Sequence, residues 1–260
     1  MHPDPPIVPA LTRALDVTDG RARLDRSWWS WAGPHGGLVA GLCLRAGSPA
    51  LGEGRVPLAM HVLFLEPAPE GDLVLETVVL REGGASAVVA VTAGAAVRAT
   101  LVGGRSRGTS ALSRVVAPVV PGPDDCPDLE LPVELVPFGR HLDLRPATAA
   151  RPLAGGEEPE LVSWVRLVED APLDAAALTF LLDAMPPALY GATATPVAVP
   201  TVELSVSFTE APTATGWVLV RISTRTAAGG WCVDDSEVWD REGRLLAQGR
   251  QTRRVLGEWA

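Results

Sequence analysis

The sequence predicts an α+β protein made of one unit used twice, each copy an antiparallel sheet wrapped around a central helix. Three observations carry this reading. Along the 260-residue chain, LAMHVLFLE at 58–66 recurs as VELSVSFTE at 202–210, so that Val62 meets Val206, Phe64 meets Phe208 and Glu66 meets Glu210, an offset of 144 residues. Each half holds one segment of helical length that is almost wholly apolar, the pattern of a helix buried on all sides. Four stretches of alternating apolar and polar residues follow each such segment, the pattern of antiparallel strands with one covered face. A repeat this long marks a duplicated domain, not a solenoid.

The elements follow in order. In the first half a strand is expected at 20–26, a Trp-rich loop at 28–33 and a helix at 35–46 (HGGLVAGLCLRA), with Pro34 at its start. Strands follow at 56–66, 72–82, 85–93 and 95–103. In the second half a strand at 160–169 leads into a helix at 173–189, then strands at 199–209, 216–226, 231–240 and 244–256. Glycine-containing turns, GG at 83–84 and AAGG at 227–230, separate corresponding strands of the two halves. The chain thus divides into a first unit at 16–104, a linker at 105–157 and a second unit at 158–256. The linker is rich in Pro, Asp and Arg, with a short helix expected at 110–116, and residues 1–15 read as a loosely ordered arm.

Composition excludes several functions. A formal net charge of −9 argues against a nucleic-acid backbone or an anionic membrane as the main partner. Gly, Pro or a charge breaks every apolar run short of the roughly 18 residues a membrane span needs. The N-terminus, MHPDPPIVPALTRALDVTDG, has no basic flank leading into an apolar stretch, so no signal peptide is expected. Cys43, Cys126 and Cys232 are odd in number and far apart, which fits neither a disulfide framework nor a zinc site, and a reducing cytoplasm is the expected compartment. All 22 basic residues are Arg, with no Lys and no Asn, which removes a Walker-type phosphate loop, a Schiff-base lysine and any asparagine-dependent mechanism. No metal or organic cofactor is implied.

Five features carry candidate chemistry. Asp183 is the only charged side chain from Ala175 to Pro187. A carboxylate in that setting needs partners to hold its charge, and beside a cleft it is a candidate general base; a surface or structural acid is the plainer alternative. On the last strand Gln251 shares a face with Leu245, Ala247, Gly249 and Val255, with Arg253 the one charged exception, while Gln248, Arg250, Thr252 and Arg254 face the other way. An inward amide needs partners, which are backbone groups, a water or a ligand carbonyl. Gly36 and Gly37 open the first helix. They allow either close approach of a ligand to the helix N–H groups or tight packing. His35 beside them reads as a solvated loop histidine or a ligand contact, and Trp28, Trp29 and Trp31 as a packing cluster or the apolar wall of a ligand site. His61, paired by the repeat with Ser205, reads as a strand-face residue, and Arg81 and Arg225 as structural or solvated.

Strand, Gly-rich loop, buried helix and four strands, used twice, resemble the double-hotdog acyl-CoA thioesterases, the thioesterase II (TesB-like) family. The resemblance rests on PHGGLVAGLCLRA, HVLFLEPAP and LREGGASAVVAV in the first half, and on FLLDAMPPAL, PTVELSVSF and LLAQGRQTRRV in the second. It implies two tandem hotdog repeats and hydrolysis of a fatty acyl or related thioester of CoA or a carrier protein. It also implies a catalytic trio: Asp183 on the second-half helix, Thr201 on the next strand and Gln251 on the last strand, with substrate contacts at His35, Gly36 and Gly37. By alternation Thr201 lies with Glu203, Ser205 and Ser207, opposite Val202, Leu204, Val206 and Phe208. A hotdog dehydratase, whose sites resemble D-x-N-P-x-H, conflicts with the missing Asn; a non-catalytic acyl-thioester-binding protein of the same fold is the remaining alternative. Exposed sheet faces and edges lead us to expect a homo-oligomer.

Overall fold

The computed structural model describes residues 10–105, 112–169, 171–209 and 215–258. A short helix α1 (Ala10–Ala14) precedes strand β1 (Arg21–Leu24) and helix α2 (Gly36–Gly47), and strands β2 (Val56–Phe64), β3 (Gly71–Glu82), β4 (Ser86–Ala93) and β5 (Val97–Gly104) complete the first half. After β6 (Leu142–Pro146), the second half runs β7 (Glu160–Leu167), α3 (Ala175–Leu182), β8 (Thr201–Phe208), β9 (Val218–Ala228), β10 (Trp231–Trp239) and β11 (Leu245–Arg254).

All the strands form one antiparallel sheet in the order β1-β3-β4-β5-β2-β8-β11-β10-β9-β7-β6. Apart from β6 the order is a palindrome of repeat-equivalent strands. At its centre β2 pairs with β8, and His61 lies directly opposite Ser205. Those two residues are each other's repeat mates, so the pseudo-two-fold axis relating the halves passes between them. Residues on either side match reciprocally, Ala59 with Ser207 and Leu63 with Glu203, as an isologous contact requires. The sheet wraps around both helices, and this is a double-hotdog fold.

The helices lie antiparallel in one continuous apolar core. Asp174 caps α3 by accepting the Ala176 and Ala177 N–H groups at 3.0 and 3.1 Å, and an Ala- and Leu-rich turn follows. Leu38 and Leu42 of α2 meet a core that also holds Leu178, Leu181 and Leu182 of α3, each at most 1% exposed. Burying such a side chain stabilises by about 1.5–3 kcal/mol. Gly37 and Gly41 let the helices meet. A Cβ on Gly37 would stand 2.8 Å from Asp183 Cβ and 3.0 Å from the Phe180 carbonyl oxygen, and one on Gly41 would stand 3.1 Å from the Ala176 carbonyl oxygen.

Four expectations are corrected. The second-half helix does not reach 189 but stops at Leu182, with Asp183 as its C-cap at φ −108° and ψ 4°. Pro186 and Pro187 follow; a proline disfavours the α region in the residue before it, and without an N–H it breaks a helix interior; a separate 3₁₀ turn covers Ala188–Gly191. The segment joining the halves is more than a linker. It supplies β6 at the sheet edge, and its Val115, Ala117, Val120 and Cys126 cover the outer face of the second half against Trp164, Trp217, Leu219 and Trp239. Residues 112–116 of the expected short helix are not helical, and 110–111 lie outside the described residues. The N-terminal arm is partly built in, since Leu11 of α1 and Leu15 just after it are buried in the core; residues 1–9 lie outside the described residues.

Candidate active site

The antiparallel helix pair places the C-terminal end of α3 against the N-terminal end of α2, and Asp183 sits at that junction. Its Oδ2 accepts the Gly37 N–H at 2.8 Å, so the positive end of the α2 dipole faces a carboxylate. Its Oδ1 lies 3.3 Å from Nη2 of Arg253, which donates to it. The Asp183 side chain is 10% exposed. The glycines thus pack closely on Asp183, and the Gly37 N–H goes to a protein carboxylate.

His35 is a structural member of this junction. It is the N-cap of α2, its Nδ1 accepting the Leu38 N–H at 3.3 Å. Its Nε2 therefore carries the proton and donates to the Asp183 carbonyl oxygen at 3.0 Å. The reading of His35 as a solvated loop residue is overturned, because the ring is buried and packs on Phe138 and Phe180, with centroids 4.3 and 4.8 Å away. Burial pushes its pKa below the ordinary histidine value, against the pull of the Asp183 carboxylate. A neutral ring matches both hydrogen bonds. Of the tryptophans, Trp28 is buried, stacking on His141 at 3.9 Å and meeting Phe180 edge-on, whereas Trp31 is exposed.

Thr201 does not face where alternation puts it. From Gln251↔Leu204 and Thr252↔Glu203 the β8–β11 register jumps to Arg253↔Thr201, leaving Val202 as the extra residue of a β-bulge. Opposed residues share a face, so the bulge turns Thr201 onto the inner face with Arg253 and Gln251. The Thr201 hydroxyl donates to Gln251 Oε1 at 2.7 Å. That bond commits the amide oxygen and leaves Nε2 as the free donor. Gln251 is completely buried, and its Nε2 has no hydrogen-bond partner among the described residues.

Two residues here carry no role in the sequence reading. Arg253 is buried, with Nε 3.0 Å from Asp234 Oδ2, an ionic contact not aligned as a hydrogen bond, and Nη1 donating to the Val199 carbonyl at 3.3 Å. Asp234 is 1% exposed, faces Gln251 across the β10–β11 pair, and accepts the Thr224 hydroxyl on Oδ1 at 2.7 Å. Arg253 stands out in the sequence as the one charge on an inward face. Asp234 shows a similar signal, alternating with Cys232, Ser236 and Val238 on a buried face. The assembly therefore links Asp183 to the strand pair through Arg253, with Thr201 opposite Arg253 and Gln251 two residues away on the same face. The cleft of about 180 Å³ between Leu11, Trp28, Arg140, His141 and Glu169 lies elsewhere, one aromatic layer from His35 through Trp28 and Phe180. No group of residues suited to a metal ion occurs among the described residues, and no described helix is long and apolar enough to cross a membrane.

Comparisons with known proteins follow the same division. Residues 25–117 match the acyl-CoA thioesterase N-terminal domain and residues 123–255 the acyl-CoA thioesterase C-terminal domain. The uncharacterized protein Rv0499 of Mycobacterium tuberculosis is 29% identical over 261 residues, 88% of each chain. A conserved protein of unknown function with a hot dog fold from Alicyclobacillus acidocaldarius superposes with a TM-score of 0.88 at 26% identity, covering 97% of this chain and 100% of that one. The acyl-CoA thioesterase II TesB2 of Mycobacterium marinum shares the fold, with a TM-score of 0.76 at 19% identity over 96% of this chain and 99% of that one. With a matching domain on each side of its internal repeat, the chain belongs to the acyl-CoA thioesterase family.

Proposed function

We propose that the protein hydrolyses an acyl-CoA thioester to the free acid and CoA, using Asp183, Thr201 and Gln251. The observation that carries this reading is the Gln251 amide: Thr201 holds its oxygen and leaves a buried, unpartnered N–H donor on the face where Arg253 meets Asp183. Nature seldom buries such a donor without a use, and water or a thioester carbonyl oxygen satisfies it.

In this mechanism Asp183 takes a proton from water as the water oxygen attacks the thioester carbonyl carbon. Gln251 Nε2 donates to the oxygen on which negative charge develops. The Gly37 N–H is committed to Asp183, whereas Gln251 Nε2 is a buried donor free for that task. The C–S bond then breaks, and the CoA thiolate recovers the proton from Asp183. Thr201 acts on Gln251, fixing which end of the amide points at the reacting atoms.

A panel of acyl-CoAs of graded chain length, assayed for free CoA, tests the reading. Release with at least one chain length supports it. Saturable binding without release across the panel overturns it in favour of a non-catalytic acyl-thioester-binding protein.

A further inference from the structure

We propose that Arg253 is a positioning residue for the Asp183 carboxylate, with Asp234 as its buried counter-anchor. The proposal deepens the thioesterase reading and rests on it. The guanidinium reaches three separate parts of the chain: Asp183 at the end of α3, Asp234 on β10 and the Val199 carbonyl ahead of β8. Asp234 is itself held by the Thr224 hydroxyl on β9. A planar fork so engaged has little freedom to turn, and neither does the carboxylate it meets. A lysine, one ammonium on a flexible stem, cannot span the two carboxylates in the same way.

Charge makes the same point. Two carboxylates and one guanidinium meet here out of water. The groups facing them add no compensating charge: His35 on α2 is held neutral by burial, and burial pushes Tyr190 and Cys232 up to about 12. Among the described residues Arg253 is thus the one cation set between Asp183 and Asp234. For stability alone, apolar side chains of similar volume replace a buried ion pair at little or no loss. A buried arginine aimed at a candidate base is therefore better explained by what it does to that base.

The test uses the full-length chain with three variants: Arg253→Met, Arg253→Lys, and Arg253→Met combined with Asp234→Leu. The double variant removes the counter-anchor with the cation and so keeps a folded protein available if Arg253→Met alone does not fold. Measured are kcat and KM for CoA release, the pH–rate profile and the melting temperature. In Arg253→Met and the double variant, kcat falls by about 10²-fold with KM within about threefold, as for a misplaced catalytic group. Taking away a cation 3.3 Å from the Asp183 carboxylate changes the charge beside the candidate base, so the pH–rate profile departs from the parent's. Arg253→Lys restores part of kcat and most of the pH profile. A folded double variant with the parent's kcat and pH profile overturns the proposal and leaves the thioesterase reading intact. A parent protein that releases no CoA from any substrate overturns both.

Discussion

Thr201 donates its hydroxyl to Gln251 Oε1 at 2.7 Å, although the two residues lie 50 positions apart and simple alternation puts Thr201 on the opposite face of its strand. The bulge at Val202 makes the contact. Replacing Thr201 by Val keeps the shape and deletes the hydroxyl. With its oxygen left buried and unpaired, Gln251 then costs about 1–3 kcal/mol of stability, and its amide is free to turn over. We expect a lower melting temperature and a fall in kcat, with Thr201→Ser near the parent in both. Thermal melts and steady-state kinetics check this.

Gln251→Met keeps the length and removes both polar ends. Loss of an oxyanion donor typically costs about 10²–10³ in kcat, so a fall of that size with KM little changed is expected. Burial favours a sulfur over an unpartnered amide, so the melting temperature does not fall in parallel. A variant that loses stability but keeps its turnover makes Gln251 a structural residue.

Gly37→Ala tests the helix junction. The added methyl meets Asp183 Cβ at 2.8 Å and the Phe180 carbonyl at 3.0 Å, neither of which is the end of a flexible side chain. Overpacking of this kind costs about 1–3 kcal/mol, and it displaces the carboxylate that the Gly37 N–H holds. Stability and kcat fall together. Gly71→Ala is no match for it as a control because its φ is +96°; Gly84→Ala, with open space around it, leaves kcat unchanged.

Stability depends on pH through the buried His35 and the half-buried His141. Burial holds the folded pKa of His35 below 6.5, and His141 is shifted the same way for the same first reason. Below about pH 6.5 the unfolded chain therefore binds protons that the folded chain refuses. The stability contributed by the neutral rings is present above pH 6.5 and is lost as pH falls from there towards the folded values. Protonation would also put a hydrogen on His35 Nδ1, where it accepts the Leu38 N–H. Melting temperatures are expected to drop between pH 7 and 5, and His35→Gln to flatten that slope. Equal slopes in parent and variant would assign the effect to other groups.

How much of this was legible in the sequence varies with the kind of information each feature needs. Asp183 is legible because it stands alone in an apolar run, and the inward face of Gln251 because β11 alternates regularly around it. The end of α3 is not, since a buried helix and the buried irregular chain after it are both apolar; Met185-Pro186-Pro187 carries the stop. The face of Thr201 is hidden because a bulge inserts one residue without a composition of its own. Strand β6 is hidden in a proline-rich stretch whose alternation spans only Leu142–Pro146. Arg253 is visible as an anomaly, but its meaning needs Asp183 and Asp234, which only the fold brings to it.

The substitution Asp183→Asn tests the central claim most directly, because it keeps the side chain's shape and removes only its charge and basicity. CoA release is measured against the parent on the acyl-CoA that the parent hydrolyses best, with the melting temperature as a check on folding. The account predicts a folded protein whose kcat falls by roughly 10²–10⁴-fold. A folded Asp183→Asn protein that releases CoA at the parent's rate would contradict it.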